Sequence, residues 1–316
     1  MAVQQHETAR PGGRAVTGGA SGGTSGRVTS RVTNRAALIF LLPFGALFVV
    51  FFVLPIGYAV NESLYKLKRS GLGFGTPERV FSGLANYAAV FRDDTFLTGV
   101  RRLLLFGIVQ VPIMLGLALV LALLLDGHAA RFKRFFRLVY FLPYAVPGVI
   151  AAIVWSFLYT PEISPFGLDL LDGGVVLWSI GNIVTWTWTG FNMLVIYSAL
   201  RAIPKELCEA AAMDGASAWR IAWSIKVPMV RPSLILTGVF SIIGTLQLFN
   251  EPTVLSGVTT AVSKSYTPLM WSLQVALDNN DYALGSAIAI VLALLAGALS
   301  FLFLRLSAWL TRRGVM

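Results

Sequence analysis

Six stretches of this chain are long and apolar enough to cross a lipid bilayer, and they leave little freedom for any other fold. They run over about residues 36–60, 103–125, 138–159, 175–199, 233–255 and 283–309. Each approaches the ~20 residues that a helix needs to traverse ~30 Å of hydrocarbon. Inside hydrocarbon every backbone N–H and C=O has to be paired, which a helix does within its own segment. The expectation is an all-α membrane protein with six transmembrane helices. Composition agrees, since 56% of the 316 residues are hydrophobic and 13% are charged, too apolar for an ordinary soluble domain.

Residues 1–35 are rich in Gly, Ser, Thr and Arg and hold almost nothing to bury, so they read as a disordered tail ahead of a transmembrane domain over 36–316. The first apolar stretch is too long for a signal-peptide core and lacks a convincing cleavage site, so it is expected to stay as an anchor. Lys and Arg resist translocation, and their distribution sets the orientation. With six alternating spans, 17 of the 25 basic residues fall on the side of the tail, of the loops around 126–137 and 201–232, and of the C-terminus. That places both termini in the cytoplasm of a multi-pass cell-membrane protein.

The net charge of +10 does not point to nucleic acid, because the basic residues lie between apolar runs instead of on a soluble face interleaved with aromatics. Cys208 is the lone cysteine, and His6 and His128 are far apart, so neither a disulfide nor a metal motif is expected. Pro43, Pro55, Pro112, Pro143 and Pro147 lie within spans. Such prolines remove backbone donors and kink helices, as suits helices packed around a path, although any one of them could serve packing alone.

The loop over 201–232 carries more than a linker requires. Pro204 suits a helix start, "KELCEAAAM" consists of good helix formers, Gly215 suits a left-handed stop, Ser217 can cap a second helix, and Pro228 is expected to end it. Two short helices on a tight turn result. Leu207, Ala210, Ala211 and Asp214 share one face with small side chains in its middle, and Trp219 and Trp223 form a ridge on the second helix. A docking element and an amphipathic segment resting on lipid headgroups both fit these residues.

The spacing Glu209-Ala210-Ala211, three residues, Gly215, nine residues, Ile225, one residue, Val227-Pro228 resembles the EAA loop of binding-protein-dependent ABC importer permeases, with valine in place of the family's leucine. "FSGLANYAAVF" (81–91), "FFRLVYFLPYAVPGVIAAIVWSFLY" (135–159) and "TGFNMLVIYSALRAIPKELCEAAAMDGAS" (189–217) are similar to permeases of sugar importers of the maltose and glycerol-phosphate type. Arg101-Arg102 and "VLSGVTTAVSKS" (254–265) depart from that pattern. The resemblance implies an importer type I permease fold in a bacterial cytoplasmic membrane. It implies that Glu209, Ala210, Ala211, Asp214, Gly215, Ile225 and Pro228 couple to a cytoplasmic ABC ATPase dimer. It further implies a second homologous permease subunit, an extracytoplasmic solute-binding protein, and a di- or oligosaccharide as cargo, with glycerol phosphate or another polar solute as the alternative.

No G-x4-G-K-[ST] loop is present, so ATP is expected on a partner chain and no cofactor on this one. Glu251 is the only acid near the interior of a span, which argues against a proton-coupled secondary transporter and against a membrane enzyme. Given a sugar, the candidate path residues are Trp186, Trp188 and Asn192 in the fourth stretch and Gln247, Asn250 and Glu251 in the fifth. Aromatic faces suit sugar C–H surfaces, and amides and carboxylates suit hydroxyls. The same residue types also join helices or sit at the interface, and the sequence leaves that choice open.

Overall fold

The computed structural model describes residues 39–68, 78–127, 132–164, 167 and 169–312. The expected tail over 1–35 lies outside them. Among the described residues five helices are long and apolar enough to cross a membrane, or six if a pair of helices bent against each other counts as one span. Helix α1 (Ile39–Ser63) is followed by a hairpin of β1 (Tyr65–Lys68) and β2 (Glu78–Phe81), then by α2 (Ala85–Val90) and α3 (Asp94–Asp126). The bent pair is α4 (Lys133–Ala145) with α5 (Gly148–Tyr159), and α6 (Val176–Arg201) follows. Next come α7 (Lys205–Met213) and α8 (218–229), then α9 (Arg231–Leu246) and α10 (Asn250–Leu255). The chain closes with α11 (Pro268–Leu273) and α12 (Tyr282–Arg312).

The prolines act in three different ways. Val146 is extended (φ −77°, ψ 127°) ahead of Pro147, as the ring of a following proline demands. The chain therefore breaks there, and α4 and α5 meet at 94° instead of forming the continuous span expected over 138–159. Pro112 is carried inside α3 without ending it. Pro55 and Pro228 each stand two residues after a π-helical turn, Val49–Val53 and Ala222–Lys226. In those turns the N–H of Leu54 reaches Val49 O and that of Val227 reaches Ala222 O. The wider turn gives room at the carbonyl that a proline ring would otherwise strike. Pro228 consequently does not end the second short helix, which continues to Met229.

Helices α3 and α6 run side by side in the same direction. Near their first halves Leu103 and Phe106 pack with Ile180 and Ile183, and near their ends Ala118, Ala122 and Leu125 pack with Met193, Ile196 and Leu200. Alanines at the contact let the backbones approach, which matters in lipid, where apolar side chains gain little by leaving the solvent. Gly190 carries this furthest, since a Cβ there would run into the carbonyl of Tyr140 on α4.

Arg102, from one of the two places where the sequence departs from the importer pattern, meets Tyr266, the residue that follows the other (254–265). Arg102 Nη1 donates to the carbonyl of Tyr266 (2.5 Å), and its guanidinium sits 3.9 Å from that ring's centre. Burial pushes the Tyr266 phenol above its ordinary value, and the Arg102 charge offsets part of the rise. The segment after α10 is thus pinned to the start of α3.

Candidate functional site

The fifth apolar stretch is interrupted at 247–249, between α9 and α10. Pro252 explains the break. Its ring would strike the carbonyl of Leu248 in a continuous helix, so the chain unwinds ahead of it and restarts with the proline in the first turn, where no donor is needed. Phe249 leaves helical geometry (φ −140°, ψ −52°). The freed Leu248 carbonyl accepts a hydrogen bond from Thr267 Oγ1 at 3.0 Å, which replaces its helical partner.

Unwinding turns Gln247, Asn250 and Glu251 into a cavity of about 230 Å³ between α3, α6 and the α9–α10 break. Helix α6 contributes Trp188 and Asn192, one turn apart on the same face, and α3 contributes Gln110 and Met114. Asn192 is 2% exposed and Gln110 4% exposed. Among the described residues Asn192 Nδ2 and Gln110 Oε1 have no hydrogen-bond partner, while Gln110 Nε2 donates to Thr185 Oγ1 at 3.2 Å. Both residues line the cavity, and between them they carry one unpaired amide donor and one unpaired acceptor, a combination that suits hydroxyl groups, which both give and take. At its edge Trp188 meets Tyr144 edge-on (5.2 Å), and Tyr144 stacks on Phe191 (4.9 Å). Glu251 is the only ionisable residue in the lining, and it is buried.

At the other candidate site, Asp214 closes α7 and Gly215 takes φ +83°, a conformation that residues with a Cβ rarely adopt. The N–H of Gly215 donates to Ala212 O and that of Ala216 to Ala211 O, each at 3.0 Å, the double bond of a Schellman stop. Ser217 Oγ then accepts from the N–H of Arg220 at 3.3 Å and caps α8. No residue of α7 is buried, and Met213 and Trp219 are 89% and 73% exposed. Glu209, Ala210, Asp214 and Gly215 are exposed; Ala211, Ile225 and Pro228 are half-buried. Trp219 and Trp223 form the expected ridge, with ring centres 5.5 Å apart. Lys226 pairs with Asp126 and ties the segment to the end of α3, leaving its apolar side chains uncovered.

Residues 114–314 match the family described as "Binding-protein-dependent transport system inner membrane component". The chain belongs to that family. The match takes in the whole two-helix segment and every cavity residue named above except Gln110. The permease is 33% identical over 229 residues to the "Lactose transport system permease protein LacF" of Rhizobium radiobacter, covering 67% of this chain and 73% of that protein. It is 30% identical over 243 residues to the "Osmoprotective compounds uptake permease protein GgtC" of Synechocystis sp., covering 70% and 84% respectively. A crystal structure of "a bacterial ABC transporter involved in the import of the acidic polysaccharide alginate" shares its fold, with a TM-score of 0.73 at 19% identity over 90% of this chain and 99% of that one.

Five of the six path candidates in the permease therefore converge on one cavity. Trp186 is the exception. It is two residues from Trp188, about 200° around a helix, and it meets Trp155 of α5 instead, 5.9 Å between ring centres. Sequence reasoning missed Gln110, together with Ser241 and Thr245 of α9, which also line the cavity. For Gln110 a signal existed: it is the only amide in the apolar stretch 103–125, and polar side chains at such depth face a cavity or a neighbouring helix.

Proposed function

We propose that this permease forms half of the path of an ATP-driven importer for a neutral di- or oligosaccharide. The observation that carries the proposal is the cavity, with two unpartnered amide atoms in its wall, an aromatic edge, and no lysine, arginine or histidine in its lining. A phosphate ester such as glycerol phosphate would meet Glu251 and no cation, so a neutral polyol is favoured. The likeness to LacF, a lactose transport system permease protein, supports a sugar. In this reading a second homologous permease completes the path, a cytoplasmic ABC ATPase dimer binds ATP and receives 201–232, and an extracytoplasmic solute-binding protein delivers the cargo. A solved relative of the same fold is described "in complex with alginate pentasaccharide-bound periplasmic protein", which supports that third partner. The chain itself has no catalytic role.

Uptake by the complete assembly in proteoliposomes tests the path. Alanine at Asn192, Gln110, Gln247 or Asn250 is expected to lower sugar uptake, by about tenfold at the two buried amides, each worth one or two hydrogen bonds. Association with the ATPase should be unchanged, and Trp186→Ala should transport normally. Normal uptake by all four cavity variants, or a loss confined to Trp186→Ala, would move the path elsewhere.

Orientation is tested separately by labelling. In a Cys208→Ser background, a cysteine at Asn279 should react with an impermeant maleimide added to intact cells, and one at Lys205 should react only after lysis. Labelling of the Lys205 position in intact cells would invert the topology.

A further inference from the structure

A second cavity, of about 780 Å³, opens between the start of α4 and the end of α6. It is lined by Lys133, Arg134 and Arg137 from the first two turns of α4 and by Tyr197, Ser198 and Arg201 from the last turns of α6. No carboxylate is in the lining. Among the described residues none of the four cations forms an ion pair, and Lys133 alone has a hydrogen bond, to the carbonyl of Asp126 at 3.3 Å. The first turn of α4 has no side-chain cap, so the positive end of the helix dipole adds to the field of the side chains.

Four cations around one space repel one another unless an anion joins them. A preference for basic loops on one membrane side places Lys and Arg near helix ends, but it does not gather residues 133–137 and 201 around a shared cavity with a tyrosine and a serine between them. What lies beside the cations identifies the anion further. Phe135, Leu138 and Leu142 follow along α4 at spacings of three and four, with 60%, 62% and 58% of their surfaces exposed. Arg134, at the edge of the basic group, adjoins this uncovered apolar stripe one turn along at Leu138, with Leu142 a turn further, the pairing of a charged head and hydrocarbon chains. The cavity is at the end of the molecule that carries the 201–232 segment, since Asp126, Lys226 and Lys133 meet there.

We propose that this cavity binds the phosphate headgroup of an anionic phospholipid, with the acyl chains lying along Phe135, Leu138 and Leu142. Arg134, Arg137 and Arg201 grip the headgroup oxygens, and Tyr197 offers its hydroxyl. The site is separate from the solute cavity, shares no residue with it, and takes a ligand that is retained instead of transported.

The test uses the full-length protein purified with its partner subunits in mild detergent and titrated with fluorescent short-chain phosphatidylglycerol. The triple variant Arg134→Gln, Arg137→Gln, Arg201→Gln should bind this lipid about a hundredfold more weakly than the wild type, because each cation near an anionic surface contributes several-fold. The corresponding triple Lys variant should stay near wild type, which separates lost charge from lost fold, and Lys205→Gln, at the same end but outside the cavity, should be unaffected. Phosphatidylcholine and millimolar inorganic phosphate should fail to displace the probe. Equal binding of phosphatidylcholine, or unchanged binding by the triple Gln variant, overturns the proposal. Displacement by inorganic phosphate assigns the cavity to a free anion and overturns the lipid. Loss of ATPase association in the triple Gln variant with lipid binding intact makes the face a subunit contact and likewise overturns it.

Discussion

Valine at Gly215 is expected to leave the protein in the membrane and to cut ATP-driven uptake by more than about tenfold. Gly215 holds φ +83° at the stop between the two short helices, with nothing within 4 Å of where a Cβ would lie. The penalty is therefore conformational, about 1–3 kcal/mol for a residue held in the left-handed region and greatest for a β-branched one. A segment with no buried residue in its first helix escapes the strain by re-aiming the second helix, and Trp219 and Trp223 move with it. Glu209→Lys is the companion test. Glu209 is exposed, so its replacement should change stability by no more than about 0.5 kcal/mol, and any loss of uptake reports on the partner. Both variants should insert and bind sugar in the cavity yet show ATP hydrolysis uncoupled from uptake, or a lost ATPase subunit. Normal coupled uptake by both would leave the segment as an amphipathic loop resting on lipid.

Alanine at Gly190 is expected to destabilise the permease by about 1–3 kcal/mol or more, and valine to prevent its assembly. The added Cβ would overlap the carbonyl of Tyr140 and press on the backbone of Phe141. Neither obstacle is a flexible side-chain end, so α4 and α6 must separate. Gly190 lies between Trp188 and Asn192, and the displacement reaches the cavity they line as well. Gly116→Ala is the control: nothing lies within 4 Å of its Cβ position in the middle of α3. There the substitution should be neutral or stabilising by about 0.5–1 kcal/mol. Thermal unfolding in detergent, with retention on size exclusion, measures both. A Gly190→Ala protein as stable as the wild type would mean that the two helices pack less closely than described.

Much of this architecture was legible in the chain because it is local or set by the solvent. Apolar stretches of bilayer length become helices whatever surrounds them, since hydrocarbon offers no other partner to the backbone. The turn at Gly215 and the cap at Ser217 depend only on residues a few positions away, so their residue types announce them. Proline was read less well. Its local effect is fixed, yet the helix breaks at Pro147 and widens into a π turn before Pro228. Pro252 carried the signal for the break at 247–249, yet the break is held by Thr267, fifteen residues farther on.

The cavity at the α9–α10 break was legible only as a set of residue types. That Trp188 and Asn192 share a helix face follows from a period of 3.6, and the same period should have turned Trp186 away. That Gln110 joins them follows from nothing near it in sequence, because α3 and α6 are brought together by alanine and glycine contacts whose partners lie more than seventy residues apart. The sequence by itself determined the apolar stretches, the basic asymmetry and the two-helix segment, since each answers to the bilayer or to a few adjacent residues. The tertiary structure alone decided which polar groups meet, which remain without a partner and which cations converge, because those depend on distances between helices that no local pattern sets.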